Sequence, residues 1–269
     1  MVRVGVLGAG GRMGRAVCQA VREDPDCEVV AAVDPRVAGR PLAEVTGLDG
    51  LAGEVSAQID ELAARGAEVA VDFTVASSAL ANMRWCAHNA VHGVVGTSGI
   101  GEEGVASLAA AFDQSRANCV LASNFAIGAV LLMRLAALAA PYMDGVEIVE
   151  LHHDAKVDAP SGTSLRTAEL LEAARRAAGA PAWPDDPTKQ VNLPATRGGV
   201  GPGGIRLHSV RLPGLLAHQE VIFGARGQTL TLRHDSYDRS SFMPGVLLAV
   251  KEVGRRPGLT VGLESLLGF

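Results

Sequence analysis

Residues 2–14 read VRVGVLGAGGRMG, from Val2 to Gly14, and the fold follows from how that stretch divides. Val2–Leu7 is a short β-branched run without polar alternation, the pattern of a strand covered on both faces. Gly8, Gly11 and Gly14 follow it directly in a G-x-x-G-x-x-G spacing, and helical periodicity begins at Met13. A strand that passes through glycines into a helix lets backbone approach a pyrophosphate lying on the helix N-terminus. Asp34 closes the next strand, about twenty residues past Gly14, where an acidic side chain accepts hydrogen bonds from an adenosine ribose. Glycines alone mark only a turn; their place between strand and helix, with the acid downstream, points to a dinucleotide.

Outward from this start, short apolar runs alternate with helix-period segments. Strands are expected at Glu28–Val33, Glu68–Val71, Gly93–Val95 and Asn118–Ala122. Helices are expected at Met13–Arg22, Ile59–Ala64, Ala76–Asn89 and Glu102–Arg116. Such alternation predicts a Rossmann-like, doubly wound parallel sheet over residues 1–124. Past it the pattern changes: a helix Ile127–Leu138, a strand Val146–Leu151, a helix after Ser161, and a Pro- and Gly-rich loop to Gly204. Three closely spaced strand candidates follow, at Ile205–Leu212, Ala217–Gly224 and Thr229–His234, and read as consecutive antiparallel strands. An α+β second domain with a mixed sheet is therefore expected over 125–235. A C-terminal segment, 236–269, whose helix spans Ser241–Val253, returns to the first domain. Gly198–Gly204 reads as a flexible loop, with a lid role left open.

Composition removes several classes. The chain has 269 residues, long enough for a substantial core, and is 48 % hydrophobic, 20 % charged and 4 % aromatic with a net charge of −5. That balance argues against nucleic-acid binding and against attachment to an anionic membrane. The N-terminus enters a strand at once and no apolar run is long enough to span a bilayer, so a cytoplasmic protein is expected. Cys18, Cys27, Cys86 and Cys119 show no metal-ligand spacing and read as reduced, buried thiols.

A second segment carries chemistry. Leu151 to Ser164 reads LHHDAKVDAPSGTS. An imidazole titrates near about 6.5 and a desolvated lysine falls to about 7–8, so His152 and Lys156 can exchange protons near neutrality. Ser161-Gly162-Thr163 opens a helix, where unpaired N–H groups form a cradle for an anion. The plainer alternatives are a surface histidine pair and a simple helix cap. No metal is expected, since HHDAK lacks the spacing that sets two ligands on one helical face.

With both motifs in hand, the chain resembles the dihydrodipicolinate reductases, also called 4-hydroxy-tetrahydrodipicolinate reductases, of the diaminopimelate route to lysine. The resemblance is carried by GAGGRMG at Gly8–Gly14, DFT at Asp72–Thr74, VVGTSG at Val94–Gly99, SNFAIGA at Ser123–Ala129 and ELHHDAKVDAPSGT at Glu150–Thr163. HQEVIFG at His218–Gly224 and RHDS at Arg233–Ser236 are weaker echoes. It implies a reductase that takes a small dicarboxylate, uses NADH or NADPH, loses water and assembles as a homotetramer. It also implies that His152 and Lys156 are the acid/base residues, with Lys156 the proton donor, and that His153, Gly162 and Thr163 contact substrate. Gly8, Ala9, Gly10, Gly11, Arg12, Met13, Gly96, Thr97, Ser98, Ala122, Ser123, Asn124 and Phe125 match cofactor contacts. Ser123 stands where many relatives have proline or alanine, and Ser98 where threonine is common.

Asp34 repels a ribose 2′-phosphate and favours NADH, while Arg12 and Arg36 can pair with that phosphate, so cofactor preference stays open. Hydride transfer is expected to need closure of the two domains. A different NAD(P)-dependent reductase would share the glycine loop without H-H-x-x-K and the SGT turn. A nucleotide sensor would have no use for an acid beside a carboxylate cradle.

Overall fold

The computed structural model describes residues 1–97 and 99–268. In chain order the elements are β1 (Val2–Leu7), α1 (Arg12–Glu23), β2 (Cys27–Val33), α2 (Leu42–Thr46), α3 (Glu61–Ala64), β3 (Val69–Asp72), α4 (Ala76–His88), β4 (His92–Val95), α5 (Glu102–Asp113) and β5 (Cys119–Leu121). They continue as α6 (Ile127–Ala139), β6 (Gly145–His152), α7 (Gly162–Ala177), β7 (Gly199–Val200), β8 (Arg206–Arg211), β9 (Ala217–Ala225), β10 (Gln228–Ser236), α8 (Met243–Glu252) and β11 (Leu259–Val261). The chain divides into two compact units: Met1–Ile127 with the stretch from Arg239 onward, and Gly128–Asp238.

In the first unit six strands pair in the order β11-β5-β4-β3-β1-β2, all parallel. The order reverses at β1, which lies between β2 and β3. Right-handed crossovers therefore send the first and later helices to opposite faces. Val4, Val6, Ala70 and Val71 are buried in the sheet, and Met83, Leu108 and Phe112 cover one face. α8 packs with α1 and β1. Because every strand is parallel, the segments after β1, β2, β3, β4 and β5 leave from one sheet edge, the edge at which doubly wound folds bind ligands. Two glycines of the fingerprint have identifiable work there. Gly8 turns at φ +75°, and a Cβ on Gly14 would stand 2.2 Å from the Gly8 carbonyl oxygen. Only glycine lets α1 start so close to β1.

β11 was not anticipated. It adds three residues beside β5, too few to leave an alternation signal in sequence.

The second unit holds a mixed sheet in the order β10-β9-β6-β8-β7. Here the expectation of three consecutive antiparallel strands needs correction. Only β9 and β10 form a hairpin; β6 separates β8 from β9, running parallel to β8 and antiparallel to β9. The connection through Pro213 and Gly214 steps over the end of β6, where Leu212 N–H donates to the His152 carbonyl at 3.1 Å. Closeness in sequence suggested a hairpin, but the buried strand β6 took the central place. The Gly198–Gly204 stretch is likewise more than a loop. It contributes the edge strand β7, antiparallel to β8.

Candidate active site

In the first unit, Gly11 caps α1 without a side-chain acceptor of its own, so the first-turn N–H groups of Arg12, Met13 and Gly14 have no intrahelical partner. Gly8 and Ala9 are tied to β2 through the Val33 carbonyl, at 2.7 and 3.3 Å. Asp34 follows immediately and is buried. Its carboxylate accepts from Gly10 N–H at 3.1 Å and from the backbone and guanidinium of Arg36 at 2.9 to 3.1 Å. Arg36 thus holds the Asp34 carboxyl below the usual carboxylate range. A Cβ on Gly10 would meet this same carboxylate at 2.9 Å, so acid and glycine loop form one surface. Burial, and then the charge of Arg12, push Arg239 below the usual guanidinium range. Two cations therefore stand together in this unit, and Arg239 was not singled out from sequence.

The loops after β3, β4 and β5 are knitted together at the same edge. Asp72, fully buried, accepts from Thr74 N–H and Oγ1 at 2.7 and 2.6 Å and from Asn82 Nδ2 at 2.8 Å. Thr97 Oγ1 donates to the Thr74 carbonyl at 3.1 Å. Phe73 occupies the space beside Gly96, where a Cβ would lie 1.9 Å from its ring, and meets Phe125 edge-on at 5.7 Å. Ala122 N–H reaches the Val95 carbonyl at 3.0 Å, and the Asn124 side chain accepts from Ala126 N–H at 2.8 Å. Gly8 to Met13, Asp34, Gly96, Thr97 and Ala122 to Phe125 all follow strands that end at this edge. Ser98 lies outside the described residues. A glycine-lined helix start, a buried ribose-type acid and nearby guanidinium groups fit a nicotinamide dinucleotide.

In the second unit, β6 ends at His152 and α7 begins at Gly162, so the LHHDAKVDAPSGTS segment closes the strand, turns through residues 153–161 and opens the helix. Ser161 caps α7, accepting from Ser164 N–H at 3.2 Å. Around Gly162 a Cβ would find no atom within 4 Å; the helix start is open there. His153 fixes the turn through its carbonyl, which accepts from Lys156 N–H at 3.2 Å. Lys156 Nζ donates to both oxygens of Asp158, at 2.7 and 2.9 Å, and so holds that carboxyl below its usual range.

Glu150, two residues before His152, joins these parts and was not picked out from sequence. It is 1 % exposed, and its carboxylate binds His152 Nδ1, both terminal nitrogens of Arg211 at 2.8 and 2.7 Å, and Ser161 N–H at 3.2 Å. Burial alone would raise its pKa; hydrogen bonds from His152 and Arg211 outweigh burial and bring it to about 2. Arg211 also donates to the Asp158 carbonyl at 2.7 Å. Nothing in the strand sequence GVEIVELH sets Glu150 apart, since Glu147 stands three residues before it.

Known proteins resemble this chain over nearly its whole length. The family model for the dihydrodipicolinate reductase N-terminus matches residues 2–125, and that for the C-terminus matches residues 128–267. The 4-hydroxy-tetrahydrodipicolinate reductases of Nocardia farcinica and Cutibacterium acnes are 47 % and 48 % identical over 267 and 270 residues. These alignments cover 99 % and 100 % of this chain, and 98 % and 100 % of the relatives. A structure of dipicolinate-bound dihydrodipicolinate reductase from Paenisporosarcina sp. TG-14 superposes with a TM-score of 0.83 at 38 % identity, covering 98 % of this chain and 99 % of that one. Matched end to end in both its nucleotide half and its His-His-Lys half, the chain belongs to the dihydrodipicolinate reductase family.

Proposed function

We infer that the protein reduces 4-hydroxy-tetrahydrodipicolinate to tetrahydrodipicolinate, with loss of water, using NADH or NADPH in the diaminopimelate route to lysine. One observation carries the residue assignments: His152, Lys156 and the helix start, open around Gly162, stand along one strand-turn-helix segment anchored by a buried carboxylate. A ring with two carboxylates, as in the dipicolinate-bound relative, is the ligand such a cradle suits.

The first-turn N–H groups of α1, with Arg12 and Arg239, hold the pyrophosphate of the cofactor. Asp34 receives the ribose hydroxyls, and the exposed Arg36 meets a 2′-phosphate when NADPH binds. Gly96, Thr97 and Ala122 to Phe125 line the nicotinamide side. The bound nicotinamide supplies the hydride. Gly162 and Thr163 N–H groups, with His153, take one substrate carboxylate. Lys156, as an ammonium, neutralises negative charge and gives its proton to the ring atom where charge collects. His152 keeps a proton available in the same network.

No helix among the described residues is long and apolar enough to cross a membrane, and we place the enzyme in the cytoplasm. Family resemblance supports a homotetramer, and exposed Val200 and Leu230 on the two edge strands of the second sheet support assembly through that sheet. The reaction is tested by absorbance at 340 nm with substrate generated from pyruvate and aspartate semialdehyde by the preceding synthase. Oxidation of either cofactor only when the synthase is present is the expected outcome. No oxidation, with nucleotide binding intact, would overturn the assignment.

A further inference from the structure

We infer that Glu150 is a positioning residue: it fixes which nitrogen of His152 carries the exchangeable proton and fastens the carboxylate-binding turn to that imidazole. The inference rests on the roles of His152 and the Gly162-Thr163 turn stated above.

On β6 the side chains of Ile148 and Glu150 point to the same face, and both are buried. An apolar residue at position 150 would satisfy packing, and exchanging a buried ion pair for well-packed apolar groups is often neutral or stabilising. Stability alone therefore does not explain a carboxylate there. Its geometry does. Donors from three parts of the unit surround its two oxygens: His152 Nδ1 and Arg211 Nη1 at Oε2, Ser161 N–H and Arg211 Nη2 at Oε1, with the Ser209 side chain adding to them. An ionised carboxylate only accepts, so His152 must donate from Nδ1. Nε2, which makes no hydrogen bond among the described residues, is left as the nitrogen that exchanges a proton with a ligand. The oxygen facing Ser161 sets where α7 begins, so one carboxylate fixes the imidazole relative to the N–H groups that cradle the substrate. Arg211 extends the hold to the Asp158 carbonyl, and Asp158 to Lys156.

Glu150→Gln keeps the size and changes one oxygen to an amide. With its remaining oxygen held by Ser161 and Arg211, the amide faces His152 Nδ1 as a donor and drives the ring to the opposite tautomer. The test is a long-range 15N NMR spectrum of histidine-labelled protein, with steady-state kinetics of Glu150→Gln, His152→Ala and the double variant. In the unaltered protein His152 should show a protonated Nδ1 and a lone pair on Nε2. In Glu150→Gln that assignment should reverse and kcat should fall about 10²-fold. The double variant should be no slower than His152→Ala within about threefold, because residues that act as a unit are not additive.

An Nε2-protonated ring in the unaltered protein overturns the inference, and needs no variant that might misfold. So does an unchanged tautomer in Glu150→Gln, or a loss of kcat that persists in full on the His152→Ala background. Normal turnover by His152→Ala would instead remove the acid/base role of His152, while the spectrum would still test the geometry set by Glu150.

Discussion

Gly14→Ala would place a Cβ 2.2 Å from the Gly8 carbonyl oxygen and 2.8 Å from Ala9 Cα. Carbon contacts relax only near about 3.5 Å, and both obstacles are backbone, so α1 has to back away from β1 by about 1 Å. The first-turn N–H groups that we assign to the pyrophosphate move with it. Hydrogen bonds to a charged group contribute about 1.5–3 kcal/mol each, so degrading one of them weakens cofactor binding by about 10- to 100-fold. Overpacking costs about 1–3 kcal/mol of stability, against which alanine returns up to about 1 kcal/mol of helix propensity. Titration of NADH fluorescence with the purified variant reads the affinity, and thermal unfolding reads the fold. Gly162→Ala is the matched control. It makes the same change in the first turn of α7, where nothing lies within 4 Å, and should leave both cofactor affinity and melting temperature in place. A Gly14→Ala protein that binds NADH within about twofold of the unaltered one would refute the close-approach argument.

Three further outcomes are expected. Lys156→Ala should lower kcat by about 10²–10⁴-fold, the usual contribution of a positioned acid; near-normal turnover would remove it as the donor. Asp34→Ala should weaken NADH about tenfold more than NADPH, since it removes the ribose acceptor and releases Arg36; an unchanged ratio of the two kcat/KM values would mean that Asp34 does not meet the ribose. Stability should also carry the signature of Glu150, whose pKa falls from 4.5 to about 2 on folding. The unfolded chain binds the proton more tightly, so this contribution is full above the unfolded pKa and is lost as pH falls toward the folded one. After allowance for screening it is about 2 kcal/mol near neutrality and roughly half that near pH 3. Urea unfolding should show Glu150→Gln less stable by that margin at neutral pH, with the gap closing in acid; a gap independent of pH would contradict the charge-based account.

Much of the first unit was legible because its signals are local. Parallel strands buried on both faces read as unbroken apolar runs, and a glycine turn between strand and helix is visible in seven residues. The second unit exposes the limit of that reading. Residues 205–234 contain three real strands, yet nothing in them reveals that β6, more than fifty residues earlier, lies between the first and second. The same holds for the site. His152, Lys156 and the SGT turn stand within one quoted segment, whereas Arg211 meets Glu150 across 61 residues, a partnership created only by the parallel pairing of β6 and β8. Glu150 was in plain view within ELHHDAK, but burial is not a sequence property, and an exposed glutamate there would have read the same.

Two ion pairs beside the His152–Ser161 turn differ in what they permit. Glu150 and Arg211 are 1 % and 20 % exposed at their side chains; separating them strands a charge out of water, which costs about 3–5 kcal/mol. Asp158, in contrast, is 56 % exposed while it binds Lys156, and an ion pair with one partner so open to water contributes only about 0–1 kcal/mol. An incoming carboxylate can therefore take Lys156 from Asp158 at little cost, but cannot take Arg211 from Glu150. The first pair is exchangeable and the second is scaffold. A site built to receive a dianion needs both: a cation held ready by a partner it can leave, and a fixed frame that keeps the imidazole and the helix start in register while that exchange occurs.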